Sequence, residues 1–218
     1  MPIVPFVPLS TPRLALVALS LEDAPAVFSY ASDSEISRLV AWPRHENIGT
    51  SRRFLARSMV GYAQGGHYEW GLKLRADQLF IGSCGFGELD VGRGVGELGY
   101  VLAKPYWAQG YATEAAAAVI QFGFSKLGLQ VIEANAFREN IASLRVMSKL
   151  GMRYRGTKLV PDATTGASRP VSVWQIKREQ WAEDHYVLQN PKGRALIWGT
   201  APQKQTIFDL RGFEASMR

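Results

Sequence analysis

The chain is short of the residues on which several chemistries depend. It has one cysteine, Cys84, in 218 residues, so no intramolecular disulfide can form. Its histidines, His45, His67 and His185, stand far apart without ligand spacing, which argues against a metal site. No run approaches the roughly 18 consecutive apolar residues of a spanning helix, and the opening MPIVPFVPLSTPRLAL has prolines where a signal peptide has a basic region. Fixed-period repeats, low-complexity tracts and long Gly/Ser linkers are also missing. These absences leave a cytoplasmic protein without membrane attachment, built as one domain plus a tail.

What is present suits a folded protein. With 47% hydrophobic residues the chain can bury a large core. The 25 Lys+Arg against 19 Asp+Glu give a net charge of +6, which suits an anionic partner such as a phosphate-bearing cofactor or an acidic protein surface. The basic residues are scattered and no nucleic-acid motif accompanies them, so a nucleic-acid partner is not expected. Cys84 lies in FIGSCGFG, a strand-like stretch where a lone cysteine packs as a small hydrophobe.

The patterning predicts a mixed α/β order. RLALVAL reads as a strand, SLEDAPAVFSYASD as a short helix capped by Ser20, and residues 50–63 as a second helix. YEWGLKLR, LFIGSCGFGEL and VGELGYVLA then form three strands of an antiparallel meander. A helix from Gly110 to Leu127, the strand QVIEANAF, the helix NIASLRVMSKL and the strands MRYRGTKLV and RPVSVWQIK follow. Residues 182–218 form an extension in which Trp198, Ile207, Phe208 and Phe213 are candidates for burial.

The helix that begins after Gly110 carries the strongest chemical signal. Ala112, Ala116, Val119, Ile120, Gly123, Phe124 and Leu127 make one apolar stripe at helical spacing, and Gly128 supplies a stop. Gly110 and Ala112 leave the first-turn amides uncovered at the positive end of the helix dipole, a site for an anion such as a diphosphate. A second glycine pattern, Gly94-Val95-Gly96-Glu97-Leu98-Gly99, has the letters of a dinucleotide fingerprint. It is followed by strand-like YVLAKP and not by a helix, so that reading is rejected.

ELGYVLAKPYWAQGYATEA, followed by ANAFRENIASLRVMSKLGMRYRG, resembles the acyl-CoA-binding core of the GNAT N-acetyltransferases. The nearer likeness is to the RimJ/RimL ribosomal-protein branch, whose opening LSTPRLALVAL resembles. The likeness spans residues 9–181, taken as the catalytic domain. It implies a central, mostly antiparallel twisted sheet of six to seven strands flanked by helices. It also implies acetyl-CoA as co-substrate, no metal, and an amine acceptor that is either a peptide N-terminus or a small molecule. The protein would work as a monomer or homodimer.

Carried over by residue, the resemblance gives Tyr100, Val101 and Leu102 backbone pairing with the pantetheine arm. Ala108, Gln109, Gly110, Tyr111, Ala112 and Thr113 hold the pyrophosphate, Gln109 through its backbone. Trp107 departs from the Arg or Gln that the wider superfamily has there. Asn140 is both a helix cap and a partner in a hydrogen bond to the cofactor arm. Met147 stands where many members carry a tyrosine acid, which makes Ser143 the candidate proton donor to the leaving thiolate. Glu97 is the first candidate for general base and Glu88 the second, while Trp42 and His45 form an acceptor wall. An α-amine with pKa near 8 is appreciably neutral at pH 7 and lysine near 10.4 is not, so N-terminal α-amines are the favoured acceptors. A small-molecule or antibiotic acetyltransferase and a CoA-binding sensor without turnover are the alternatives.

Overall fold

The computed structural model describes residues 4–162 and 166–184. Its first strands are β1 (Leu9–Ser10) and β2 (Leu14–Val17), followed by a 3-10 turn at Leu21–Asp23. Three helices come next: α1 (Ala24–Ala31), α2 (Ser34–Arg38) and α3 (Ile48–Gln64). The meander β3 (Tyr68–Leu74), β4 (Phe80–Asp90) and β5 (Val95–Leu102) leads through a second 3-10 turn, Lys104–Tyr106, into α4 (Tyr111–Ser125). The chain closes with β6 (Val131–Phe137), α5 (Ile141–Lys149), β7 (Arg153–Pro161), β8 (Ser168–Lys177) and α6 (Arg178–Asp184). The candidate buried residues Trp198, Ile207, Phe208 and Phe213 lie outside the described residues.

The eight strands make one sheet in the order β1-β2-β3-β4-β5-β6-β8-β7. Neighbours pair antiparallel except β5 and β6, which run parallel because α4 carries the chain across between them. The sheet is one strand larger than expected because Leu9–Ser10 pairs with Leu16 and Ala15. Two residues have too little alternation to be read as a strand from sequence.

Strand alternation sorts the core into two layers. Leu14, Leu16, Trp70, Leu72, Cys84, Leu98 and Ile132 belong to the cluster that packs with α4. Val27, Tyr30, Ile36 and Leu55 from α1–α3 form the other cluster, joined by Val101 and Ala103. Cys84 is buried, and burial pushes its thiol well up from its ordinary value.

Three local expectations need correcting. The first predicted helix divides into the 3-10 turn and α1, with Pro25 in the first helical turn. Helix α2 was not anticipated; Asp33 caps it by accepting from the amides of Glu35 and Ile36 at 2.8 and 3.3 Å. Helix α4 is buried on more than its stripe: Ala115, Ala117, Ala118 and Phe122 are also inside, with the Phe122 ring 5.2 Å from Trp70.

Gly123 sets how closely α4 approaches the sheet. A Cβ there would stand 2.7 Å from Phe86 Cζ and 3.0 Å from Ile132 Cδ1. Gly123→Val is expected to cost about 1–3 kcal/mol by overpacking. Chemical denaturation should show a lower midpoint at unchanged slope.

Candidate active site

The site begins where two strands part. β5 pairs with β6 only over Val95–Glu97 against Val131–Glu133, then continues to Leu102 along β4. Beyond Glu97 the β6 side of β5 has no strand partner among the described residues. Backbone amides and carbonyls on that edge can therefore pair with an extended amide-bearing ligand.

Helix α4 starts at the same opening. Gly110 is its N-cap at φ +85°, and Ala108 before it sits at φ +59°. This is the reason for a glycine at 110, because a left-handed backbone is costly for a side chain and free for glycine. Gly110 has no side chain with which to cap the helix, so the amides of Tyr111, Ala112 and Thr113 stay available; the first helical bond runs from Glu114 N–H to Gly110 O at 3.0 Å. Left-handed residues alternating with ordinary ones turn successive amides inward as an anion nest.

Arg13 clamps this loop from β2's N-terminal side, a role invisible in the sequence. Its Nε bonds Glu114 Oε2 at 2.6 Å, its Nη1 donates to Gln109 O at 3.0 Å, and its guanidinium lies 4.3 Å from the centre of the Tyr111 ring. The Thr11 hydroxyl adds a bond to Glu114 at 2.6 Å.

Together these elements enclose a cleft of about 410 Å³. Tyr100, Val101 and Leu102 line it from β5, and Ala108 and Gly110 from the loop. Tyr111, Ala112 and Thr113 line it from α4, and Asn140 and Ser143 from the start of α5. Gln109 lies outside this lining; its carbonyl serves Arg13 and its Nε2 donates to Pro105 O at 2.7 Å. Ile36, Leu39 and Val40 add an apolar wall, and Arg145 and Lys149 add positive charge. The last two stand at i and i+4 on α5, a spacing that the sequence carried and that could have flagged them. Lys104 ties α2 to this mouth through Asp33 at 3.0 Å and holds the Asp33 carboxyl below its ordinary value.

Two polar groups meet inside. Tyr100 OH and Ser143 Oγ are 2.8 Å apart, and burial pushes the tyrosine hydroxyl up, with the Ser143 bond opposing it. Asn140 Oδ1 accepts from Ser143 N–H at 3.1 Å as a cap, while its Nδ2 donates to Leu39 O at 3.1 Å. One amide hydrogen of Asn140 remains for a ligand.

The other residues picked out by sequence lie apart from this lining. Glu97 sits where β5 and β6 separate, with Lys158 at 3.4 Å. Glu88 is exposed beside the bulge in β4. The Trp42 and His45 rings meet at a tilt with centroids 5.6 Å apart between α2 and α3, and His45 Nδ1 is 2.9 Å from Ser51 Oγ. Burial, with Arg53 and Arg57 adding to it, lowers the His45 pKa.

A family model described as the acetyltransferase (GNAT) domain matches residues 13–153. The chain belongs to the GNAT acetyltransferases and is an enzyme of the N-acetyltransferase type. It is 32% identical over 148 residues to an uncharacterised N-acetyltransferase, YoaA, of Bacillus subtilis (strain 168), covering 68% of this chain and 84% of YoaA. A solved GNAT-family acetyltransferase from Bacillus anthracis has a TM-score of 0.70 at 27% identity, covering 79% of this chain and 99% of that one. RimL, a ribosomal-protein α-N-acetyltransferase solved with coenzyme A, shares the fold with a TM-score of 0.65 at 15% identity, over 81% of this chain and 98% of RimL.

Proposed function

We propose that the protein transfers acetyl from acetyl-CoA to a primary amine by direct attack in a ternary complex, with a protein N-terminal α-amine as the favoured acceptor. The observation that carries this reading is the left-handed Gly110 opening α4 beside the unpaired edge of β5. Free amides at Tyr111–Thr113 suit a pyrophosphate, and the edge at Tyr100–Leu102 suits the amides of a pantetheine arm. Arg145 and Lys149 supply charge for further phosphate, and the spare amide hydrogen of Asn140 supplies a bond to the arm. The co-substrate brings the thioester carbonyl that the amine attacks.

Ser143, backed by Tyr100, is the proton donor to the departing sulfur. Trp42, His45 and Glu88 form the outer acceptor wall, and Glu97 adds negative charge for an incoming ammonium. Residues 9–181 make the catalytic unit, working in the cytoplasm as a monomer or homodimer, with neither nucleic acid nor membrane as partner. Among the described residues no helix is long and apolar enough to cross a membrane.

Thiol release from acetyl-CoA, followed with peptide amides and small amines, tests this. Faster release with α-amine peptides than with lysine side-chain or small amines is the expected result. No release above hydrolysis with any amine overturns the reading.

A further inference from the structure

Neither the cleft nor the glycine loop accounts for Glu69, and its placement is unusual for a carboxylate. Register sets Glu69 opposite Gly85 and Gly85 opposite Gly99, one transverse row across β3, β4 and β5. Tyr68 and Trp70 belong to the α4-side core, so alternation turns Glu69 to the other face. Its side chain lies over Gly85, where an added Cβ would stand 2.5 Å from Glu69 Oε2. The carboxylate thus leans across the sheet towards β5.

Gly99 beyond it is exposed, and a Cβ there would meet nothing within 4 Å. Neighbouring strands are about 4.8 Å apart, so a carboxylate above Gly85 stands about 5 Å from the Gly99 backbone, room for one amine or one water. Gly99 directly precedes Tyr100, whose hydroxyl meets Ser143 in the cleft. On β6, alternation with the buried Ala134 and Ala136 puts Asn135 on the Glu69 face, two residues past the end of the β5–β6 pairing. Both amide atoms of Asn135 are buried without a partner. The row therefore runs from a carboxylate over a glycine floor to the gap between the strands, with unmet hydrogen-bonding capacity on its far side.

We infer that this trough receives the acceptor and that Glu69, in place of Glu97, takes the proton from its ammonium. The inference rests on the acetyl-transfer reading above. Among the described residues no Lys or Arg pairs with Glu69, whereas Lys158 holds Glu97. Burial pushes the Glu69 carboxyl up to about 7, and a hydrogen bond from Ser83 opposes the rise. The surrounding groups are few. Ser83 also bonds Tyr30 of α1, Tyr62 of α3 donates to the Glu69 carbonyl at 2.5 Å, and His67 packs on the Tyr62 ring. Asp23 is paired with Lys73 at 3.4 Å, and Cys84 faces the opposite layer.

The step balances. Glu69 removes one proton from the ammonium, and the freed lone pair forms the N–C bond to the thioester carbonyl. The C–S bond breaks with its electrons on sulfur, which is protonated through Ser143. The second nitrogen proton is lost as the amide forms, so of two protons leaving nitrogen one ends on sulfur and one in solvent.

At pH 7 an amine of pKa 8 is about one-tenth neutral, so Glu69→Gln should lower kcat/KM about tenfold on an α-amine peptide. The parent should show an ionisation limb near pH 7 that the variant lacks, and the deficit should shrink as pH approaches the pKa of the amine. Glu69→Asp should restore the limb at a lower rate. Gly99→Val has space to fold and favours a strand, but fills the trough. Calorimetry should show peptide binding to the CoA-saturated variant at least tenfold weaker, with acetyl-CoA affinity unchanged. A retained limb near pH 7 in Glu69→Gln, or full peptide affinity in Gly99→Val, overturns the assignment and leaves acetyl transfer standing. Absence of turnover in the parent overturns both.

Discussion

Ser143→Ala is expected to lower kcat about 10²-fold on the best acceptor while acetyl-CoA binds within about twofold of the parent. The serine hydroxyl lines the cleft and stands 2.8 Å from Tyr100 OH. Burial raises the Tyr100 pKa, so this hydroxyl keeps its proton at neutral pH and can resupply Ser143. Met147, one turn further along α5, is fully buried and has no proton to give. Alanine keeps the helix and the Asn140 cap, because the cap receives the backbone N–H of residue 143 and not its side chain. Steady-state kinetics with separate cofactor titration decides the matter. A parent-like kcat would assign the sulfur's proton to water, and Tyr100→Phe should then also be silent.

Gly110→Val is expected to weaken acetyl-CoA binding about 30-fold or more, equivalent to about 2 kcal/mol. The backbone at 110 is left-handed at φ +85°, where a β-branched residue is strongly disfavoured. Its Cβ would also stand 3.4 Å from Arg13 Nη2, against the clamp that holds the loop. Relief of either strain rotates the Tyr111–Thr113 amides away from the position proposed for the pyrophosphate. Titration calorimetry measures the loss and circular dichroism confirms the fold. Parent-like affinity in a folded variant would remove the pyrophosphate from this loop.

The helical stripe and Gly110 were readable because both are local: periodicity buries one face, and a small residue before a helix exposes amides. The burial of Ala115 and Ala117 was not readable, since alanine suits either side of a helix and only its tertiary neighbours decide. Helix α2, at five residues, is too short to show a period, and its Asp33 cap is held by Lys104, which is distant in sequence. Arg13 reaches Glu114 across 101 positions. Glu69 gains its meaning from the register that sets Gly85 and Gly99 beside it, and no window of sequence carries a register between strands. Lys158 on β7 stands 3.4 Å from Glu97 across 61 positions, a neighbour that no window of sequence shows.

Amide hydrogen exchange with and without acetyl-CoA tests most directly the claim that the co-substrate lies between the free edge of β5 and the start of α4. The account predicts new protection at Tyr100–Leu102 and at Tyr111–Thr113, with little change in β7 and β8, and loss of the second protected segment in Gly110→Val. Saturating acetyl-CoA that protects neither segment, or that protects a different face of the sheet, would contradict it.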